Sequence, residues 1–163
     1  MTYNSLSVSQ RNVLILMRLA IGWHFLYEGI LKLYNPAWTA KGYLLSSEGI
    51  FQGFFSWLAS DSLIGITNTM NIVVLMFVGA ALLLGYLERQ GALAGAVLLG
   101  LYYLAHPAFP GLDQGITEGN YWLVNKNIIE GLALLVIYQF PTSEYFGLKR
   151  FLHRSKAEKV ANA

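Results

Sequence analysis

The chain has 163 residues, of which 55% are apolar and 12% are charged. Soluble globular domains carry nearer ~25% charged residues, so this composition argues against a soluble domain and indicates a protein that faces lipid. Four membrane crossings of ~20 residues each would use almost the whole length and leave no room for a second domain. The net charge of only +2 argues against a nucleic-acid partner, and the absence of cysteine excludes thiol chemistry on the protein itself.

The first predicted membrane helix covers residues 13–33 and follows a polar start. A secretory signal peptide is the alternative, but its apolar stretch has only ~7–15 uncharged residues and ends at a small-residue cleavage site. Here the apolar run is longer and contains Arg18, His24 and Glu28. We therefore interpret residues 13–33 as a retained helix.

Three further membrane helices are predicted along the chain. The second covers residues 70–87 and the third residues 91–105, and the polar residues 88–91 between them predict the tight turn of an antiparallel hairpin. The fourth covers residues 125–140 and ends at a proline, after which a basic tail covers residues 141–163. The whole chain is predicted to be a single transmembrane domain.

An additional short helix is predicted in the first long loop. Aromatic and apolar side chains recur there at the i, i+3, i+4 and i+7 spacing of one helix face, at Phe51, Phe54, Phe55 and Leu58. Such a face can lie in the membrane interface, or it can pack on the bundle as a lid, and both interpretations stay open. The predicted fold class is all-α, a membrane-spanning four-helix bundle with an additional amphipathic interfacial helix in the first outer loop.

The distribution of basic residues predicts the orientation in the membrane. Lysine and arginine in short loops and tails mark the cytoplasmic side. Arg11, Arg89 and the basic tail lie on one side of the predicted topology, whereas the long loops on the other side hold only Lys41 and Lys126. We therefore expect a multi-pass protein of the bacterial inner (cytoplasmic) membrane, with both termini in the cytoplasm and both long loops facing the periplasm or cell exterior.

The first predicted helix carries four ionisable side chains on one face. Each costs ~2.5–3.5 kcal/mol at the centre of a membrane helix, so their placement needs a reason. A helix turns by 100° per residue. The four side chains therefore lie within about a third of the helix circumference, at Arg18, His24, Glu28 and Lys32. This polar stripe cannot face lipid, and we expect it to face the bundle or a hydrated cleft, where Glu28 and Lys32 can pair at i, i+4.

The predicted topology brings more polar side chains to the outer end of this stripe. They come from the ends of the other helices and comprise Asn71, Tyr102, Tyr103, His106, Lys126, Asn127 and Glu130. Simpler roles stay open for these groups. Ion pairs can fix helix register, the arginine can snorkel or bind lipid phosphate, and each histidine can be a hydrogen-bonded core or loop residue.

A cleft with these side chains suits a lipid-soluble ligand whose polar head exchanges protons, and a quinone fits that description. Its carbonyl oxygens accept hydrogen bonds from His, Lys or Tyr, and its reduction takes up two protons. The predicted catalytic proton carriers are Glu28 and Glu130. The predicted quinone-binding residues are Arg18, His24, Lys32, Tyr102, His106, Lys126 and Asn127. Heme between the two membrane histidines fits less well, and no ligand spacing specifies a metal site.

Two stretches of the sequence also resemble a known family. Residues 18–33, RLAIGWHFLYEGILKL, and residues 119–130, GNYWLVNKNIIE, are similar to the first and last helices of the DoxX/DoxD family of small four-helix membrane proteins. The resemblance extends over most of residues 11–140 and implies the four-helix fold. The positions that match the family motif are Arg18, Glu28, Lys32, Asn127 and Glu130.

The resemblance also implies a function. One branch of the family, DoxD, is the small membrane subunit of a thiosulfate:quinone oxidoreductase, and other members are associated with membrane redox complexes that handle sulfur compounds and oxidative stress. A quinone-reactive or anchoring subunit with a membrane or periplasmic protein partner is therefore expected. Two alternatives stay open: a non-catalytic assembly or anchor protein for a periplasmic or secreted partner, and a binder or carrier of a lipid-like small molecule.

Overall fold

The structure, a computed structural model, describes residues 6–109, 111 and 120–152, and it confirms a mostly helical fold. Its elements in chain order are α1 (Val8–Tyr34), α2 (Lys41–Leu45), α3 (Gln52–Leu58), α4 (Ile64–Leu84), α5 (Glu88–Ala105), β1 (Asn120–Tyr121), β2 (Val124–Asn125) and α6 (Lys126–Gln139). Residues 148–152 are also helical. Residues 153–163 of the predicted basic tail lie outside the described residues.

The four long helices, α1, α4, α5 and α6, pack around one core. Gly22 on α1 faces Leu82 on α4 and Gly29 faces Met76, so these two helices run antiparallel. α1 packs most extensively against α4 and α6 against α5, while the contact that closes the ring between α1 and α6 is the least extensive of the four. We call the end of the bundle where α1 ends and α6 begins the loop end, and the end where α4 turns into α5 the turn end.

The core is apolar and draws on all four long helices. Its fully buried members include Phe25 from α1, Val78 and Leu82 from α4, and Leu134 and Ile137 from α6. α5 contributes mainly small and aliphatic side chains to the same core. The outward faces are apolar as well, with exposed side chains that include Val13, Leu16, Val73, Val97, Ile129 and Leu132. Apolar side chains on both the inner and the outer faces are what a bundle in lipid requires.

α4 begins at Ile64, so its predicted start at residue 70 is wrong. The first turns carry polar side chains that resemble a loop in the sequence, but these side chains bond to nearby backbone. Thr67 Oγ1 donates to the Leu63 carbonyl at 3.1 Å, and Asn68 Oδ1 accepts from the Ala40 amide at 2.9 Å. Because these bonds satisfy the polar groups locally, the helix continues through a polar segment.

The predicted turn at residues 88–91 is also wrong, because these residues form the first turn of α5. The chain reverses direction just before these residues, where Gly85 and Leu87 adopt left-handed conformations with φ of 62° and 58°. Glycine takes up this conformation without a steric penalty, which ends α4 sharply. The shift moves Glu88 from a solvated turn into a buried helix start.

The loop between α1 and α4 folds over the loop end as a lid. Phe55 of α3 is buried in a second, smaller apolar cluster together with Leu44 of α2 and Ala105 of α5. The lid is also held by an ion pair of 2.5 Å between Lys41 and Asp61, and this ammonium lowers the pKa of the Asp61 carboxyl. The lid interpretation of the aromatic stripe is therefore confirmed for Phe55.

The other aromatic side chains of that stripe point away from the bundle. Phe51 and Phe54 are exposed, and so is Trp57, which lies beside the stripe on α3. The rings of Phe54 and Trp57 contact each other at a centroid distance of 6.1 Å. Their insertion into a membrane interface stays a prediction.

α6 begins directly after a short antiparallel hairpin formed by β1 and β2. Asn125 is its N-cap, and its side-chain oxygen accepts a hydrogen bond of 3.2 Å from the Ile128 amide. This bond satisfies one of the free amides that every helix start exposes. The cap thereby fixes Lys126 in the first turn of α6 and Glu130 one turn further along the helix.

Among the described residues, α1 and α4 are long and apolar enough to cross a membrane by length and composition. At ~1.5 Å per residue they extend roughly 40 Å and 31 Å, and the hydrocarbon core of a bilayer measures ~30 Å. α5 and α6 have 18 and 14 residues. They extend only about 27 Å and 21 Å, so their ends would lie near or below the surface of such a layer.

Candidate functional site

A hydrogen bond between a histidine and a carboxylate joins α1 to α6 in the loop-end half of the bundle. Nδ1 of His24 lies 2.7 Å from Oε1 of Glu130. The side chain of His24 is 46% exposed and that of Glu130 is 16% exposed, so the pair is accessible from outside the bundle. It bridges the two neighbouring helices that contact each other least. The pair therefore lies at the surface of the bundle, outside the apolar core.

An ion pair lies one turn further along the same face of α1. Nζ of Lys32 is 2.6 Å from Oε2 of Glu28, as the i, i+4 spacing predicts. Lys126 at the start of α6 is close enough to interact electrostatically with both Glu28 and His24. The structure therefore brings together five of the predicted site residues. We call this group the loop-end cluster: His24, Glu28, Lys32, Lys126 and Glu130.

Two exposed aromatic rings border the loop-end cluster on α1. The rings of Trp23 and Tyr27 stack with a centroid distance of 6.1 Å and an interplanar angle of 27°. Each directly precedes a cluster residue in the chain, His24 or Glu28. Both rings are about half exposed. Flat rings of this kind can pack against a planar apolar ligand, and they also suit the interface of a bilayer.

Tyr102 and His106 belong to a separate network that fastens α2 to the end of α5. The Tyr43 hydroxyl donates to the Tyr102 carbonyl at 3.0 Å, and His106 Nε2 donates to the Tyr43 carbonyl at 2.9 Å. His106 is therefore engaged with the lid. The Tyr102 hydroxyl accepts a 2.6 Å hydrogen bond from Asn71 and interacts electrostatically with Glu28, which connects this network to the loop-end cluster.

The remaining predicted residues differ in their placement. Asn127 lies partly buried in the first turn of α6, beside Lys126. Within the described ranges, no group of three or more histidine or acidic side chains is placed to hold a metal ion. His24 and His106 contact different partners, Glu130 and the Tyr43 carbonyl, so each has a structural role that needs no heme.

Arg18 is not part of the loop-end cluster. It is fully buried at the turn end, ten residues and about 15 Å along α1 from Glu28. Its Nη1 donates to Thr142 Oγ1 at 2.9 Å and its Nη2 donates to the Phe146 carbonyl at 2.9 Å. The structure therefore gives Arg18 other partners than the remaining predicted quinone-binding residues, and its own role in quinone binding stays a prediction. Snorkelling to lipid phosphate is wrong, because protein encloses the guanidinium on all sides.

The counterion of Arg18 is Glu88, which the sequence reasoning missed. Its Oε2 lies 3.5 Å from Arg18 Nη1, and its side chain is 1% exposed. The carboxylate also accepts hydrogen bonds from the backbone amides of Thr142 at 2.9 Å and Ser143 at 2.6 Å. We call Arg18, Glu88, Thr142, Ser143 and the Phe146 carbonyl the turn-end network. It joins α1, α5 and the segment after α6 at one buried point.

A comparison with protein families places most of this architecture in a known group. The family model described as DoxX matches residues 13–107, which is more than half of the chain. The match includes most of α1 and all of α4 and α5, and it therefore covers His24, Glu28 and Lys32. Lys126 and Glu130 on α6 lie after the matched range. No curated protein and no solved structure matches the chain.

Proposed function

The chain belongs to the DoxX family, and on that premise we propose that all four of its long helices cross the bacterial inner membrane. The apolar outward faces and the lengths of α1 and α4 support this proposal. The turn end faces the cytoplasm in this arrangement, because Arg11, Arg89, Lys149 and Arg150 lie there. The lid and the loop-end cluster then face the opposite side of the membrane.

We propose further that the protein is the quinone-interacting membrane subunit of a redox complex, similar in role to the small subunit of a thiosulfate:quinone oxidoreductase. The observation that carries the proposal is the accessible His24–Glu130 pair between α1 and α6. An ionisable pair on the side of a membrane bundle is costly, and such pairs usually mark a ligand or proton pathway. A ligand dissolved in the bilayer can reach this pair directly.

The side chains of the loop-end cluster fit a quinone head group chemically. Lys32, Lys126 and His24 supply N–H donors for its two carbonyl oxygens. Glu28 and Glu130 can hold protons, and the 2.7 Å contact allows a proton to pass between Glu130 and His24 Nδ1. A bound quinone would supply two-electron redox chemistry, with electrons coming from a partner subunit. The protein's part is then to bind the head group, orient it and exchange protons with it.

Replacement of Glu130 by glutamine is expected to weaken quinone binding about tenfold, or about 1.4 kcal/mol, because the amide cannot hold a charge opposite His24. The measurement is a titration of the full chain in nanodiscs with a short-chain ubiquinone or menaquinone analogue. Asp61→Asn is the matched control, since Asp61 is an exposed carboxylate at the same end that pairs with Lys41 outside the cluster. We expect this control to bind like the wild type.

Each other result of this titration contradicts part of the proposal. Equal weakening by Glu130→Gln and Asp61→Asn would place the ligand elsewhere. If an analogue without carbonyl groups bound as tightly as the quinone, the alternative function of binding or carrying a lipid-like small molecule would be favoured. No saturable binding by the folded wild type would favour the assembly or anchor protein.

A further inference from the structure

A basic and aromatic surface lies at the turn end, far from the loop-end cluster. After α6 the chain runs through a turn into the helical residues 148–152. Its exposed apolar side chains are Phe146 at 52%, Phe151 at 70%, Leu148 at 40% and Leu152 at 41%. Lys149 and Arg150 lie among them. We call this set the turn-end surface: Phe146, Leu148, Lys149, Arg150, Phe151 and Leu152.

The turn-end surface is fastened to the bundle by its backbone. The Phe146 carbonyl accepts a 2.9 Å hydrogen bond from Arg18, and the Lys149 amide donates to the Gly85 carbonyl at 3.4 Å. The guanidinium of Arg11 lies 4.8 Å from the centre of the Tyr145 ring. These contacts come from α1 and from the turn between α4 and α5. The backbone of this surface is therefore fixed to the bundle, while its apolar side chains stay partly exposed.

The charge around this surface is predominantly positive. Arg11 and Arg89 lie at the same end of the bundle as Lys149 and Arg150. Glu88 is buried against Arg18 and adds no negative charge to the surface. In the described part of this end, Glu144 is the exposed carboxylate, and it pairs with Lys149 at 3.0 Å. Cations therefore outnumber carboxylates beside a row of exposed apolar side chains.

We propose that the turn-end surface binds the anionic lipid headgroups of the adjacent membrane leaflet. Phe146, Phe151 and Leu152 enter the boundary between headgroups and acyl chains, while Lys149 and Arg150 contact lipid phosphates. This combination of apolar and basic side chains is the one that binds anionic membrane surfaces. The turn-end network sets the angle at which the surface meets the membrane. The inference rests on the proposed membrane topology and does not depend on the proposed quinone site.

The chain contains no cysteine, so a single introduced cysteine can be labelled selectively to test lipid binding. A single Leu152→Cys substitution takes an environment-sensitive fluorophore, and the labelled full chain is placed in nanodiscs of phosphatidylcholine with or without phosphatidylglycerol. Acrylamide quenching is expected to be about twofold weaker in the anionic nanodiscs, and high salt is expected to remove this difference. The double substitution Lys149→Gln and Arg150→Gln is expected to remove most of the difference in quenching between the two lipid mixtures at low salt.

Two controls separate lipid binding from other effects. A label at Ile50, which is 93% exposed on the lid, is expected to show equal quenching in both lipid mixtures. Thermal unfolding of the double glutamine variant is expected to change little, since the bonds that it removes, from Lys149 to Glu144 and from Arg150 to the Tyr145 carbonyl, are exposed and such bonds contribute little to stability. Equal quenching of the Leu152 label in both mixtures would overturn the proposal and leave the surface to a protein partner. Protection that persists in the double variant would overturn the role of Lys149 and Arg150.

Discussion

Arg18→Met is expected to lower the free energy of unfolding by about 3–5 kcal/mol, because it leaves a buried carboxylate without its cation. Glu88 is 1% exposed, so water cannot replace the lost guanidinium. The substitution also removes the hydrogen bonds to Thr142 and to the Phe146 carbonyl, which hold the segment after α6. The measurement is reversible denaturant unfolding in detergent micelles, followed by tryptophan emission.

Two further variants decide whether the buried charge is the cause. Arg89→Met removes a neighbouring exposed arginine and is expected to change stability by no more than about 0.5 kcal/mol. Arg18→Met combined with Glu88→Met removes both charges and is expected to be more stable than Arg18→Met alone, since buried pairs can often be replaced by apolar side chains. If Arg18→Met were as mild as Arg89→Met, the turn-end network would not stabilise the bundle.

The partner of Arg18 was missed because residues 88–91 resemble a polar turn in the sequence. Glutamate, arginine, glutamine and glycine in a row between two apolar runs favour a solvated loop. A charge argument could have found the pair, because a buried arginine in an apolar helix needs a carboxylate at its own depth. Glu88 is the acidic residue that the short turn brings to that level.

The loop-end cluster could be predicted only in part, because helical periodicity determines which residues share a face of one helix but not which residues meet between two helices. The spacing of four residues places Glu28 and Lys32 on one face, and the structure contains their ion pair. The pairing of His24 with Glu130 depends on how α1 and α6 cross, which no local pattern in the sequence specifies. The i, i+4 spacing of Lys126 and Glu130 predicts a pair within α6 and contains no information about a contact with α1. The catalytic and quinone-binding roles of these residues stay predictions.

Gly79→Ala is the second substitution for which a large loss of stability is expected, at about 1–3 kcal/mol or more. A Cβ at Gly79 would lie 2.5 Å from the Leu26 backbone nitrogen and 2.6 Å from its Cα. Backbone atoms cannot rotate away as a side chain does, so α1 and α4 would have to move apart. Their contact is the most extensive one between any two helices of the bundle. Close approach at small residues is a main source of packing energy between membrane helices.

A graded series of glycine substitutions tests that explanation. A Cβ at Gly95 would meet the Leu134 side chain at 2.9 Å, and a flexible side chain can shift, so Gly95→Ala is expected to cost less than Gly79→Ala. Gly100 has no atom within 4 Å of the new Cβ. Gly100→Ala is therefore expected to stabilise by up to about 1 kcal/mol through helix propensity alone. The unfolding midpoints of the three variants, measured in the same detergent, give the order of their stabilities. Equal losses at Gly79 and Gly100 would mean that helix separation is not what destabilises the protein.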